Sequence, residues 1–135
     1  MPVYVDSAKN RLGRLICSHM WADTEAELLA MCDEIGFSRL WIQRPGMKPA
    51  PNKPAVRWLH CDVSQMMRTR AIEAGAIVSD RHGVLEHTSR LVLADPNDSP
   101  EARGRARARL DVIRQYREKA TRGVAACQPD QFSFA

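Results

Sequence analysis

The stretch Thr24-Glu25-Ala26-Glu27-Leu28-Leu29-Ala30-Met31-Cys32-Asp33-Glu34-Ile35-Gly36 decides what kind of fold this chain makes. Thr24 and Glu27 have the spacing of a capping box, in which each side chain satisfies an exposed backbone amide at a helix start. Leu28, Met31, Cys32 and Ile35 recur at helical spacing, and Gly36 supplies the left-handed stop. The segment is therefore a helix with one apolar face, and that face needs a partner.

The partner lies on either side of it. Upstream, Val3-Tyr4-Val5 is β-branched and aromatic and stops at Asp6, which predicts a first strand. Between strand and helix, Ser7 to Leu15 is polar and basic and reads as a loop. Downstream, Arg39 to Gln43 holds Leu40-Trp41-Ile42, which reads as a short buried strand. Pro45, Gly46, Pro49, Pro51 and Pro54 then forbid helix, so Arg44 to Pro54 is an irregular loop placed to act as a lid. Val56 to Val63 is the next strand candidate. Ser64 caps a second helix through Ala74, Gly75 ends it, and Ala76-Ile77-Val78 follows as a strand.

Strand and helix alternating in this way predict an α/β fold: a short, mostly parallel sheet with flanking helices. Val84 to Ala94 fits helix or strand equally. Ser99-Pro100-Glu101 is a strong helix start, with a cap, a first-turn proline and an acid near the positive dipole end. That long basic helix should run to about Arg122, with Ala102, Ala106, Leu110, Ile113, Tyr116 and Ala120 as its apolar stripe. We expect one α/β domain over residues 1–123 and a loosely held tail over 124–135. Two aromatics in that tail, Phe132 and Phe134, are similar in pattern to peptides that dock on the bacterial sliding clamp. A tail folded back on its own domain explains them equally well.

Composition bounds the rest. A chain of 135 residues, 44% hydrophobic and 27% charged, has the make-up of a globular protein rather than a disordered one. It lacks an apolar run of about 18 residues, the length that crosses a bilayer. The start Met1-Pro2-Val3-Tyr4 has neither the basic nor the apolar region of a signal peptide, which points to the cytoplasm. Cys17, Cys32, Cys61 and Cys127 contain no C-x-x-C pair and read as free thiols. The formal charge is +4, but Ser99 to Gly123 alone has seven arginines and one lysine against three acids. The rest of the chain is close to neutral.

Ligands of open α/β sheets collect outside the carboxyl ends of the strands. Asp6 closes the first strand, Gln43 the second, and His60 and Asp62 the third; Ser18, His19 and Asp23 precede the first helix, and Arg68 lies one turn into the second. Asp6, His60 and Asp62, with His19 near them, form a nitrogen and oxygen set suited to zinc or manganese. His60 and Asp62, two apart on a strand, point to one face. His19 or His60 is a candidate general base, oriented by Asp23, Asp6 or Asp62, with Arg68 meeting an anion. Lys9-Asn10-Arg11-Leu12-Gly13-Arg14 lacks the Gly-Lys-Ser/Thr of a phosphate loop, so Arg11 and Arg14 hold a phosphate on charge alone or are simply solvated. Arg103, Arg107 and Arg114 share a stripe that could lie along nucleic-acid phosphates. Asp111 and Glu118 on the same side offer local ion pairs instead, and a solvated face is the commoner case.

In their order, Val3 to Asp6, Gly13-Arg14, Ser18-His19, Ala22-Asp23-Thr24, Glu27-Leu28, Ile35-Gly36, Arg39, Trp41, Gln43, His60-x-Asp62, Arg68, Ala71 and Gly75-Ala76 resemble the bacterial and phage family called domain of unknown function 4031. The resemblance spans roughly residues 3 to 79. It implies a small intracellular protein, often phage-borne, and brings no activity with it. It selects Asp6, Ser18, His19, Asp23, Trp41, Gln43, His60, Asp62 and Arg68 as the motif set. Leu29 stands where the resemblance leads us to expect histidine, and Met67 where it leads us to expect a basic residue. If the site needs those two groups, this member binds without turnover.

Two functions follow as expectations. The first is a metal-assisted hydrolase of a phosphorylated or nucleotide-like substrate, with Asp6, His60 and Asp62 on the metal. In it His19, Asp23 and Arg68 are catalytic, and Ser18, Trp41 and Gln43 stand around them. The second is a phage-type module that binds nucleic acid, a nucleotide or a host protein without catalysis.

Overall fold

A computed structural model describes residues 2–131, with side chains for 2–123. The chain divides into two units, residues 1–84 and 85–135. Among the described residues the elements are β1 (Val3–Val5), β2 (Asn10–Leu12), β3 (Leu15–Ala22), α1 (Glu25–Ile35), β4 (Cys61–Ser64), α2 (Gln65–Glu73), β5 (Ile77–Val78), α3 (Gly83–Ala94) and α4 (Pro100–Gln131). No helix among them is long and apolar enough to cross a membrane.

In the first unit β3 is the hub. It pairs antiparallel with β1, β2 and β4, and only β1 with β5 is parallel. The sheet is therefore mixed and chiefly antiparallel, which corrects the mostly parallel expectation. The reason lies in Ser7 to Leu15, expected as loop. Gly13 takes φ +60°, the conformation a two-residue hairpin loop needs at its first position, and it turns β2 straight back into β3. A loop that short permits only an antiparallel return.

The register has a further consequence. Val5 lies opposite Met20 and Asn10 opposite Cys17, so four residues, Asp6 to Lys9, bulge where β3 has only two, Ser18 and His19. β4 pairs with the same stretch of β3 from the other edge. Bulges of this kind re-aim side chains and end regular pairing.

Alternation sorts the side chains into two faces. Val3, Val5, Met20, Cys61 and Val63 enter a core with Leu28, Met31, Cys32 and Ile35 of α1 and Ala71 of α2. Both helices form as the sequence predicts. Thr24 Oγ1 accepts from the Glu27 amide and donates to Glu27 Oε1, and Gly36 closes α1 at φ +78°. Ser64 Oγ accepts from the Met67 amide at the start of α2. The opposite face of the sheet carries Tyr4, Cys17, His19, Trp21 and Asp62.

Three expected elements change. Leu40-Trp41-Ile42 is not a buried strand: Arg39–Trp41 is one 3-10 turn, capped by Ser38 Oγ accepting from the Leu40 amide. Trp41 packs edge-on against Phe37, and Leu40 is exposed. The strand expected from Val56 to Val63 shrinks to β4, with His60 held just before it by an isolated bridge to Gln43. The loop before it is nonetheless closed at its neck, where Gly46 N donates to Val56 O and Val56 N to Met47 O.

Val84 to Ala94 resolves as helix α3, of which Gly83 and Val84 belong to the first unit and the rest to the second. Ser99 Oγ accepts from the Ala102 amide, as expected of the cap of α4. Ala106 and Ile113 are the buried positions of the expected apolar stripe, whereas Tyr116 is exposed. Helix α4 runs beyond Arg122 and Gly123 to Gln131, since a glycine without a left-handed turn does not stop a helix. The expected loose tail and its docking aromatics, Phe132 and Phe134, lie outside the described residues.

Candidate active site

The bulge after β1 turns the Asp6 carboxylate back onto β3. Oδ1 accepts the His19 backbone amide at 2.9 Å and the Ala8 amide at 3.2 Å, and Oδ2 lies 2.6 Å from His19 Nδ1. A carboxylate only accepts, so Nδ1 carries the ring proton and Nε2 is the ring nitrogen not engaged by Asp6. Burial alone would raise the Asp6 carboxyl. The His19 ring, with the amides of His19 and Ala8, outweighs it and holds the group below its usual value. Reciprocally, the hydrogen bond to Asp6 lifts His19 above the ordinary imidazole value against its burial, with the charges of Asp6 and Asp62 adding to the lift.

A second histidine stands beside it. Gln43 and His60 form an isolated antiparallel bridge just before β4. His60 Nδ1 donates to the Trp58 carbonyl at 2.8 Å, which again frees Nε2, here 3.6 Å from Asp62 Oδ1. Trp58 stacks on the His60 ring at 4.2 Å and 14°. Burial lowers His60 below the ordinary imidazole value despite its bond to Trp58 and the nearby Asp62, and His19 pushes the same way. Asp62 sits directly across from His19 in the β3–β4 ladder and accepts from Gln43 Nε2. The two imidazole rings are edge to face, 5.8 Å apart.

Tyr4, Trp21 and Trp58 extend this cluster as an aromatic layer, with ring separations of 5.7 Å and 6.1 Å along it. An open pocket of about 410 Å³ adjoins it, lined in part by Gln43, Lys53, Arg57, Trp58 and His60. Two cations and no acid line this pocket, so its chemistry favours an anion.

Asp6, His19, Gln43, His60 and Asp62 therefore come together, with Asp6 at the carboxyl end of β1, His19 and Asp62 paired across β3 and β4, and Gln43 and His60 at the bridge before β4. The other expected residues have different places. Asp23 is exposed beyond β3, and Asp6 rather than Asp23 orients His19. Arg68 reaches from α2 to the Asp6 carbonyl at 2.7 Å and to Ser7 Oγ, so it braces the bulge. Ser18 is buried toward the helices, donating to the Ala8 carbonyl and accepting from Gln65. Trp41 is on the 3-10 turn. Arg11 and Arg14 are exposed on the hairpin. Leu29 and Met67 pack against the helical side of the core, away from the histidine face.

The expected metal set does not assemble. Asp6 is occupied by His19 and two backbone amides, and among the described residues no three of His, Cys, Asp or Glu stand so as to hold an ion. The arginine stripe of α4 is also largely engaged. Arg103 donates to the carbonyls of Leu93, Asp95 and Asp98, and Arg114 pairs with Asp111 and Glu118. Arg107 is exposed on the same helix.

The sequence reading did not single out Trp21, Trp58, Lys53 or Arg57. Trp58 is two residues from His60, and that spacing was the one signal open to it.

The family model described as protein of unknown function (DUF4031) matches residues 3–91. The chain belongs to this family. The match covers every element of the first unit and so holds all of the histidine cluster, while α4 lies beyond it. Neither a curated protein nor a solved structure matches the chain.

Proposed function

We propose that this family member is an acid–base hydrolase of phosphorylated, nucleotide-like substrates. One observation carries the reading: two adjacent histidines have their Nδ1 atoms bound to different partners, so both Nε2 atoms are left for chemistry. The hydrogen bond to Asp6 lifts His19 above the ordinary imidazole value, and burial lowers His60 below it. Environments that push two titratable groups apart are how one site obtains an acid and a base at the same pH.

In this scheme a phosphate group sits by Lys53 and Arg57. His60 Nε2 removes the proton of the attacking hydroxyl, and His19 Nε2 gives its proton to the departing oxygen. Asp6 steadies the imidazolium before transfer. Gln43 fixes Asp62, whose charge favours the proton returning to the cluster.

The test is turnover of p-nitrophenyl phosphate and bis(p-nitrophenyl) phosphate by the full chain in chelator. We expect activity that falls at least about 100-fold in His19→Gln and His60→Gln with unchanged melting temperatures. Inactivity in chelator that zinc or manganese restores would overturn the reading, as would activity at the wild-type level in both variants.

A further inference from the structure

The identity of the attacking group can be taken further, on the basis of the acid–base reading above. Ser18 faces the helices and donates to the Ala8 carbonyl, so its hydroxyl is committed. Cys17 lies two residues from His19 on the same face, but burial and then Asp62 push its thiol up, away from the thiolate that attacks. Neither residue supplies a nucleophile. What attacks is then water or the substrate itself.

Magnitudes decide between them. A bound water activated by one imidazole gains the factor of about 10² to 10⁴ that general base catalysis provides. A hydroxyl carried beside the phosphorus by the substrate adds an effective molarity of about 10⁵ to 10⁸ M. A site whose acid and base are two imidazoles therefore turns over fastest a substrate that brings its own hydroxyl. Ribonucleotides carry such a hydroxyl next to each phosphodiester. Trp58, half-buried at the pocket and stacked under His60, offers an indole to an unpaired base, and Lys53 and Arg57 meet the backbone charge.

We propose that the substrate is single-stranded RNA and that the nucleophile is the ribose 2′-hydroxyl adjoining the scissile phosphate. His60 Nε2 takes the 2′-hydroxyl proton as the 2′-oxygen bonds to phosphorus. The bond from phosphorus to the 5′-oxygen breaks, and that oxygen takes the proton of His19 Nε2. The products are a 2′,3′-cyclic phosphate and a free 5′-hydroxyl, with no change in oxidation state. The two histidines finish with protonation states exchanged, and the next water or buffer proton resets them.

The experiment uses the full chain, chelator, an end-labelled unstructured RNA, the same RNA with one 2′-deoxynucleotide, and bis(p-nitrophenyl) phosphate. The expected result is cleavage to cyclic-phosphate ends, blocked only at the deoxynucleotide and lost in His19→Gln and His60→Gln. The single deoxy change alters no protein residue, so a folding defect cannot imitate it. Intact RNA with histidine-dependent turnover of the aryl diester would overturn the RNA proposal and leave the acid–base reading standing. Cleavage that ignores the deoxy substitution would do the same. Failure on all substrates would sink both, and RNA cleavage that persists in both variants would count against both.

Discussion

Asp6 Oδ2 lies 2.6 Å from His19 Nδ1, while Oδ1 of the same carboxylate takes the backbone amide of His19 at 2.9 Å. One side chain thus fixes a strand residue by its main chain and its ring together. Position and protonation of His19 have a common cause.

That arrangement makes Asp6→Asn informative. The amide oxygen can still accept from the two backbone amides, but the amide NH₂ would donate into His19 Nδ1. The ring proton would move to Nε2, the atom meant for chemistry, and the imidazolium would lose its counter-charge. We expect the His19 titration, followed by NMR, to fall towards 6.5, its ordinary value. Turnover should fall by at least about 100-fold with the fold retained.

Stability should depend on pH in a way that separates the two histidines. His19 titrates higher in the folded chain, facing Asp6, Asp62 and His60, so its contribution is full below about 6.5 and fades as pH rises through the folded value. His60 titrates lower when folded, facing Asp62 and His19, so protonation opposes folding as pH falls below 6.5. Asp6 is depressed by its hydrogen bonds from His19 and Ala8 against its burial, and its contribution holds above 3.8 and is lost on further acidification. Urea unfolding across this range should show the alkaline loss in wild type and its disappearance in Asp6→Asn.

Much of the site could be read from residue types, and little of its geometry. Asp6, Gln43, His60 and Asp62 stand out as polar groups ending apolar runs, and caps such as Thr24 and Ser64 work through local chemistry visible in four residues. The β2–β3 hairpin was hidden because Cys17, Ser18 and His19 interrupt the alternation that marks a half-buried strand. Their faces make sense only once Asp6, Gln65 and Asp62 are in place across the sheet. Arg68 looked like an anion ligand because no local pattern says that a helix residue will reach back to the Asp6 carbonyl. Trp21 and Trp58 looked like ordinary apolar residues because stacking depends on distant pairing.

The two arginines once grouped on one stripe of α4 should behave differently. Arg103→Ala removes one guanidinium that donates to three carbonyls around the end of α3, of which Asp95 O keeps the Asp98 amide, and should cost about 1 kcal/mol in chemical denaturation. Arg114→Ala removes an exposed pair with Asp111 and Glu118, and its melting temperature should not move measurably. Equal losses would contradict this division.

Gly83→Ala probes the support behind the aromatic layer. A methyl there would stand 1.7 Å from Ser79 Oγ and 3.1 Å from Trp21 Cζ2. We expect about 1 to 3 kcal/mol of destabilisation. Gly83→Ala with Ser79→Gly should recover most of it, and a melting temperature unchanged in the single variant would show that the start of α3 is not tight.

The parallel pairing of β1 with β5 has a consequence for synthesis. Tyr4 and Val5 leave the ribosome long before Ile77 and Val78, their partners along that edge. β1 can dock on β3 early, yet one edge of it must wait, hydrated and open, until the chain has passed the second helix. β4, which brings Asp62 across from His19, also arrives late. A nascent chain stalled before residue 60 therefore holds Asp6 and His19 but no second histidine. The chemistry proposed for this face can begin only after the polypeptide has grown well past its first hairpin.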